Sequence, residues 1–297
     1  MKIDSAKALY DIELANINKR ISNQGVGLST GFPDLDNVLG GVGFEPGYIY
    51  TIAGRPGMGK TALLLNLVIN NLSRLATSEC IVFVSTKDSS TVLMQKMLAI
   101  TSGIDLKKIQ LGQLTAQELA LLQSDKVVDL VSGSKIVFVE AVNPSIESLR
   151  EVIALQEKEG RLVKLLAIDD IQSVAIETAD GKEEGFKNLM HELKELATVK
   201  QFPILLASGV NRRVEYRREN KIPQLTDLLY SGHIGYLSSF CFMLVRPNYY
   251  EVPGEYLDIS PEEAHLIVKK NVYGPLDTIL LHVQIAKQLF IAAPKWH

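Results

Sequence analysis

Apolar and polar positions alternate along the chain in two rhythms. Near-continuous apolar runs read as buried strands: YIYTIAG (48–54), CIVFVST (80–86), KIVFVE (135–140), LLAIDD (165–170) and PILLAS (203–208). Between them the apolar positions fall at helical spacing. This predicts helices at TALLLNLVINNL (61–72), SSTVLMQKMLAI (89–100) and GFKNLMHELKELATVKQ (185–201). It predicts two more, one from Ser145 to about Glu159 and one opened by the Thr115–Glu118 capping box and running to about Leu130. Continuous apolar strands alternating with helices predict an α/β fold, with a mostly parallel central sheet covered by helices on both faces. Three later runs, FCFMLVR (240–246), HLIVKKN (265–271) and TILLHVQIA (278–286), follow without long helices between them. They predict antiparallel hairpins at one edge. At the other end of the chain, residues 4–22 place Ala8, Leu9, Ile12, Leu14, Ala15, Ile17 and Ile21 at amphipathic spacing, and Ser22-Asn23-Gln24-Gly25 ends that helix. A helix standing alone cannot bury its stripe, so it is expected to dock on its own domain or on a neighbouring subunit. The expected division is a helix within 1–25 and one α/β domain over 26–297.

Composition narrows the picture. Hydrophobic residues make up 46% and charged residues 22% of 297, an ordinary globular balance. The net charge of -3 does not draw nucleic acid to the molecule as a whole, so any such contact must come from a local basic patch. Cys80 and Cys241 sit inside apolar runs and read as buried small hydrophobes in a reducing compartment. The histidines are scattered singly, without zinc-type spacing, so no structural metal is expected. The first residues are charged, and no stretch reaches the ~18 apolar residues of a membrane span. A cytoplasmic protein without membrane contact is expected.

The chemistry concentrates in GRPGMGKT, which fits G-x-x-x-x-G-K-[ST] in full between a strand and a helix. In such a loop the glycines let the backbone wrap tightly and aim N–H groups at phosphate oxygens, and the helix N-terminus adds a favourable dipole. Gly54, Arg55, Pro56, Gly57, Met58, Gly59, Lys60, Thr61 and Ala62 are therefore the expected ATP cradle. Lys60 is the point charge for the β- and γ-phosphates, and the Thr61 hydroxyl is a Mg²⁺ ligand. The second half of such a site is a carboxylate ending another buried strand. Asp169 caps the apolar run LLAI, where an ionised group is costly unless it meets a cation or hydrogen bonds, and it is expected on the magnesium side.

With these motifs in place, nearly the whole chain resembles the RecA-like motor domain of DnaB-type replicative helicases. STGFPDLDNVLGG (29–41) is similar to the segment ahead of the phosphate loop in that family, and GRPGMGKTA to its Walker A motif. LLAIDDIQSV (165–174) resembles its Walker B strand, with Asp169 and, three residues on, Gln172, which the resemblance places with the nucleotide. LLASGVNRRVEYR (205–217) and KKNVYGPLDT (269–278) resemble the last two motifs. RecA, KaiC and RadA relatives share the early motifs, while the Asn-Arg motif and the K-N-x-x-G-P ending favour the DnaB branch. The resemblance implies a homo-oligomer, a hexameric ring held partly by the N-terminal helix. It also implies ATP hydrolysis between subunits, single-stranded DNA in the central channel, and helicase or primase partners.

The family pattern breaks at three places. Lys87 in STKDS stands where the family has a Glu that orients the attacking water, and an ammonium accepts no proton. Gly209 replaces a Gln that senses the γ-phosphate, and Val272 replaces an arginine finger, although Lys270 remains. An arginine finger supplies several orders of magnitude in rate, so hydrolysis is expected to be slow or to rest on substitutes. Asp170 and Asp88 are the candidate substitutes, each with the alternative of a solvated loop carboxylate. On a regular strand Asp170 faces away from Asp169. A catalytically weakened, ATP-holding paralogue that loads or regulates a helicase is the second reading.

For nucleic acid, Asn211 and the run Arg212, Arg213, Arg217, Arg218 and Lys221 form the expected contact, which holds phosphates without reading sequence. The alternative is a solvated surface interrupted by Glu215 and Glu219. The acidic loop ETADGKEEG (177–185) argues against tight binding there. Tyr249, Tyr250 and Tyr256 read as lid or edge packing, with stacking on adenine as the alternative.

Overall fold

Strand order decides where the loops of interest meet. The computed structural model describes residues 5–21, 27–131, 135–177, 179, 181–217, 221–250 and 260–293. The strands are β1 (Ile49–Gly54), β2 (Glu79–Ser85), β3 (Ile136–Glu140), β4 (Leu162–Asp169), β5 (Ile204–Gly209), β6 (Phe240–Val245), β7 (Glu263–Asn271), β8 (Thr278–Gln284) and β9 (Leu289–Ala292). They form one sheet in the order β3-β2-β4-β5-β1-β6-β7-β8-β9. The pairs from β3 to β6 are parallel, and those from β6 to β9 antiparallel. β1, β5 and β6 are buried at nearly every position, which requires cover on both faces.

Helices α1 (Ala6–Ile21), α2 (Pro33–Val38), α3 (Lys60–Leu72), α4 (Ser90–Ser102), α5 (Leu106–Leu111), α6 (Ala116–Leu122), α7 (Asp125–Val131), α8 (Ile146–Lys158), α9 (Lys182–Lys200) and α10 (Ser231–Leu237) complete the fold. α3 is apolar almost all round and packs on β1, β4 and β5, which explains its buried run from Ala62 to Ile69. α8 packs against β4 and α9, and α9 against α10.

Parallel pairing brings the carboxyl ends of the strands to one edge of the sheet. Gly54 lies opposite Gly209, and Ser85 opposite Asp169. The phosphate loop, the Thr86–Asp88 turn, the Asp169–Asp170 pair and the Gly209–Asn211 turn therefore emerge together, as ligand-binding loops do in open α/β sheets.

The structure departs from the sequence expectation in several elements. The helix expected from Thr115 to about Leu130 is two, α6 and α7. Ser124 Oγ donates to Leu121 O at 2.6 Å, and Ser124 O takes the Val127 and Val128 N–H groups, so one helix is closed and the next opened there. The single strand expected at 278–286 ends at Gln284. Ile285–Lys287 make a 3-10 turn, Gln288 takes φ 55°, and the chain returns as β9. α5 has no buried residue and hence no apolar stripe to betray it. α1 forms as expected, but Leu9, Ile12, Leu14, Ile17 and Ile21 are exposed on it, so its stripe finds no cover on its own domain. Among the described residues no helix is long and apolar enough to cross a membrane.

Candidate phosphate-binding site

Each glycine of the loop after β1 answers a backbone demand. A Cβ on Gly54 would sit 2.8 Å from Leu244 O on β6, and Gly57 and Gly59 hold φ 82° and 98°, where side chains are strained. Met58 is fully buried and plugs the loop into the core. Gly59 is the N-cap of α3 without a side-chain cap, so the first N–H groups of that helix are left to meet a ligand.

Lys60 Nζ donates to Gly54 O at 2.8 Å and Arg55 O at 3.1 Å, folding over its own loop. Burial pushes its pKa below the usual lysine value, opposed by the nearby Asp169. Thr61 Oγ1 donates to Asp169 Oδ2 at 2.5 Å, bringing the two expected magnesium-side residues together. Asp169 is 4% exposed; burial pushes its carboxyl above the usual range, and the Thr61 hydrogen bond pulls it back.

Asp170 corrects the expectation of opposite-facing neighbours. β4 ends at Asp169 and the chain turns into a 3-10 segment, Ile171–Ser173, so strand alternation no longer applies. Both carboxylates line one cleft of about 340 Å³. Ser173 Oγ donates to Asp170 Oδ1 at 2.9 Å, and the Lys87 ammonium is paired with Oδ2. Asp88 is not on the cleft wall; its carboxylate is paired with Lys96 at 2.5 Å. Lys60, Lys87, Lys96 and Arg246 line the cleft together with Asp169 and Asp170, more cationic than anionic side chains, which suits a polyanion.

Gln172 is not brought to this cleft. Its amide braces the end of β5, accepting from Gly209 N at 2.9 Å and donating to Ser208 Oγ at 2.8 Å. A Cβ on Gly209 would lie 2.9 Å from Leu229 Cδ1, so the leucine fills the space that a longer residue would need.

Several wall residues escaped the sequence reading. Arg246 directly follows the buried run of β6, much as Asp169 closes the buried run of β4. Its Nε is buried without a partner, and burial lowers its pKa. Phe290, buried on β9, stands 3.1 Å from the place of a Cβ on Gly59. Asn66 on α3 secures that strand, donating to Gln288 O at 2.8 Å and accepting from Phe290 N at 3.1 Å. Neither is legible in the sequence, where the last predicted strand stops at residue 286 and 289–292 carry no predicted element. Tyr249 Oη comes within 3.3 Å of the place of a Cβ on Gly57; Tyr256 lies outside the described residues. A larger cleft of about 760 Å³, between Asp34–Gly40 and the turn from β7 to β8, holds no residue of the phosphate loop.

The basic run forms a 3-10 turn, Arg212–Tyr216, capped by Asn211, whose Oδ1 accepts from Arg213 N at 3.0 Å. Arg217 is paired with Asp227, and Glu215 with Arg55 of the phosphate loop at 2.8 Å. Arg212 and Arg213 are exposed, Lys221 is half-buried, and Arg218 lies outside the described residues. Lys270 Nζ is held by the carbonyls of Gly235 (3.0 Å) and Tyr236 (2.6 Å), and Val272 is exposed. Among the described residues no group of three or more His, Cys, Asp or Glu gathers to hold a metal.

Known proteins resemble this chain in sequence and fold. The chain is 28% identical over 280 residues to the replicative DNA helicase DnaB of Buchnera aphidicola subsp. Baizongia pistaciae, covering 92% of this chain and 58% of that protein. It is 30% identical over 260 residues to a probable replicative DNA helicase of Trieres chinensis, covering 86% and 55%. It thus spans little more than half the length of these relatives. Among solved structures, the ATPase domain of G40P superposes with a TM-score of 0.82 over 96% of this chain and 98% of that one, at 22% identity. A DnaB-like replicative helicase studied with primase gives 0.81 over 99% and 68%, at 21% identity. These two likenesses establish the RecA-like fold. The DnaB-like helicase C-terminal domain family matches residues 27–291, from the bridge that precedes α2 through β9, so the chain belongs to that family.

Proposed function

We propose that this chain is the ATP-driven motor domain of a DnaB-like helicase or translocase acting on single-stranded DNA in replication. The observation that carries it is the convergence of Lys60, Thr61 and Asp169 at the sheet's carboxyl edge, with Thr61 Oγ1 and Asp169 Oδ2 2.5 Å apart. A hydroxyl and a carboxylate are hard oxygen donors of the kind Mg²⁺ takes when phosphates supply further ligands. Bound there, Mg²⁺ would neutralise charge on the phosphate oxygens. The chain's own residues do the rest. The loop from Gly54 to Ala62 cradles the phosphates, Lys60 leaves its loop carbonyls for them, and Lys96 and Arg246 add positive charge to the wall.

DNA would meet Arg212 and Arg213 first, since Arg217 is engaged by Asp227. Asn211, Arg218 and Lys221 complete that proposed contact. Assembly into a hexameric ring would cover the exposed stripe of α1. Primase or other helicase subunits are proposed partners.

A second reading is favoured by Lys87, which occupies Asp170 where a base is wanted. In that reading the chain holds ATP without turning it over and acts as a loader or regulator. Steady-state ATP hydrolysis with and without single-stranded DNA, beside a Lys60→Ala control, decides between them. DNA-stimulated turnover abolished by Lys60→Ala is the expected result; tight ATP binding without turnover favours the regulator.

A further inference from the structure

Lys87 is placed to be more than a lost glutamate. It lies in the turn after β2 with its side chain 63% exposed, while the Asp170 side chain it holds is only 7% exposed. Both line the cleft with Lys60, and the positive charge of Lys87 is felt at Lys60. While the ammonium sits on Oδ2 and Ser173 on Oδ1, both oxygens of Asp170 are engaged and neither is open to a water molecule. A γ-phosphate entering the cleft offers the same ammonium a doubly charged partner. A lysine carries its charge on a long rotatable stem and can move to it without moving the backbone.

We propose that Lys87 is the γ-phosphate-responsive group of this site: it exchanges Asp170 for the γ-phosphate, and the freed Asp170 carboxylate takes the proton of the attacking water. This rests on the nucleotide site proposed above. In the step, the water oxygen bonds to the γ-phosphorus as the bond from that phosphorus to the β–γ bridging oxygen breaks. ADP leaves with the electron pair, the water proton passes to Asp170, and from there it returns to solvent. When phosphate departs, Lys87 goes back to Asp170 and the base is shut off. Base availability is thereby tied to the presence of the third phosphate, within one subunit.

The test is titration of fluorescent ATPγS and fluorescent ADP into the full chain in Mg²⁺ buffer. The variants are Lys60→Ala, Lys87→Met, Asp170→Asn and the double Lys87→Met/Asp170→Asn. The double variant leaves no unpaired buried carboxylate, so it keeps the comparison usable if Lys87→Met alone unfolds. Wild type is expected to prefer ATPγS to ADP. Lys87→Met and the double variant should lose that preference by roughly tenfold to a hundredfold, the worth of one charge-assisted contact, with ATPγS affinity falling much more than ADP affinity. Asp170→Asn should bind ATPγS at least as tightly as wild type, because its lysine is already released. Its single-turnover ATP hydrolysis should fall by about a hundredfold or more. An unchanged preference in the double variant, or a wild type that binds both nucleotides equally, overturns the role of Lys87. A wild type without turnover, or an Asp170→Asn variant as fast as wild type, overturns the role of Asp170. Failure of wild type to bind either nucleotide overturns the nucleotide site itself, a result distinct from the others.

Discussion

At Asp169, function and stability pull in opposite directions. Burial raises the pKa of this carboxyl from its ordinary 3.8, so the folded chain holds the proton longer than the unfolded chain does. Stability from this group is greatest while both states are protonated. It declines as pH climbs from 3.8 through the raised value, and at neutral pH the ionised carboxylate is a net cost of folding. Lys60 has the mirror-image penalty, its ammonium disfavoured by the same burial. Asp169→Asn, measured without nucleotide, should therefore melt at a higher temperature than wild type at pH 7 while losing nucleotide binding. The gap should close as pH falls towards 3.8. An Asn variant less stable than wild type across the whole range would contradict this account. Asp169 is legible in the sequence because an ionisable group ending an apolar strand needs a chemical reason, and Lys60 because it completes the glycine-loop motif. Asp170 was read less well, because the alternation rule assumes that the strand continues, and β4 stops one residue earlier.

Elements were legible in proportion to how much apolar surface they bury. The parallel half announced itself, since β1, β5 and β6 have hardly an exposed position. α5, α6 and α7 bury little, so their boundaries are set by caps and turns that hydrophobic spacing does not register. β9 was missed for another reason: the turn at Ile285–Lys287 is itself apolar and blends into the preceding strand. Yet β9 matters to the site, because it carries Phe290 beside Gly59 and is tied to α3 through Asn66. Asn66→Ala would leave the Gln288 carbonyl and the Phe290 amide without their side-chain partner. The expected loss is about 1–3 kcal/mol in denaturant unfolding. Faster hydrogen exchange at the Phe290 amide should mark the loosening as local to this wall. A uniform exchange change across the sheet would instead mean that Asn66 supports the whole core.

At the scale of the whole molecule, the exposed stripe of α1 and the tie between two loops have separate consequences. Ile12 and Ile17 remain 53% and 41% exposed, so aspartate at both should leave the sheet domain intact, within about 0.5 kcal/mol, as surface changes do. If α1 docks on a neighbouring subunit, the same double change should shrink the assembly seen by light scattering. An assembly of unaltered size would remove α1 from the interface. The pairing of Arg55 with Glu215 reaches further, because it joins the loop behind Lys60 to the turn that presents Arg212 and Arg213. Anything that rearranges that turn must either pull the phosphate loop with it or surrender a partly buried ion pair. Whatever advantage one occupant gains from the strain, the other must feel in equal measure. The two ends of the tie work as a lever with a single fulcrum.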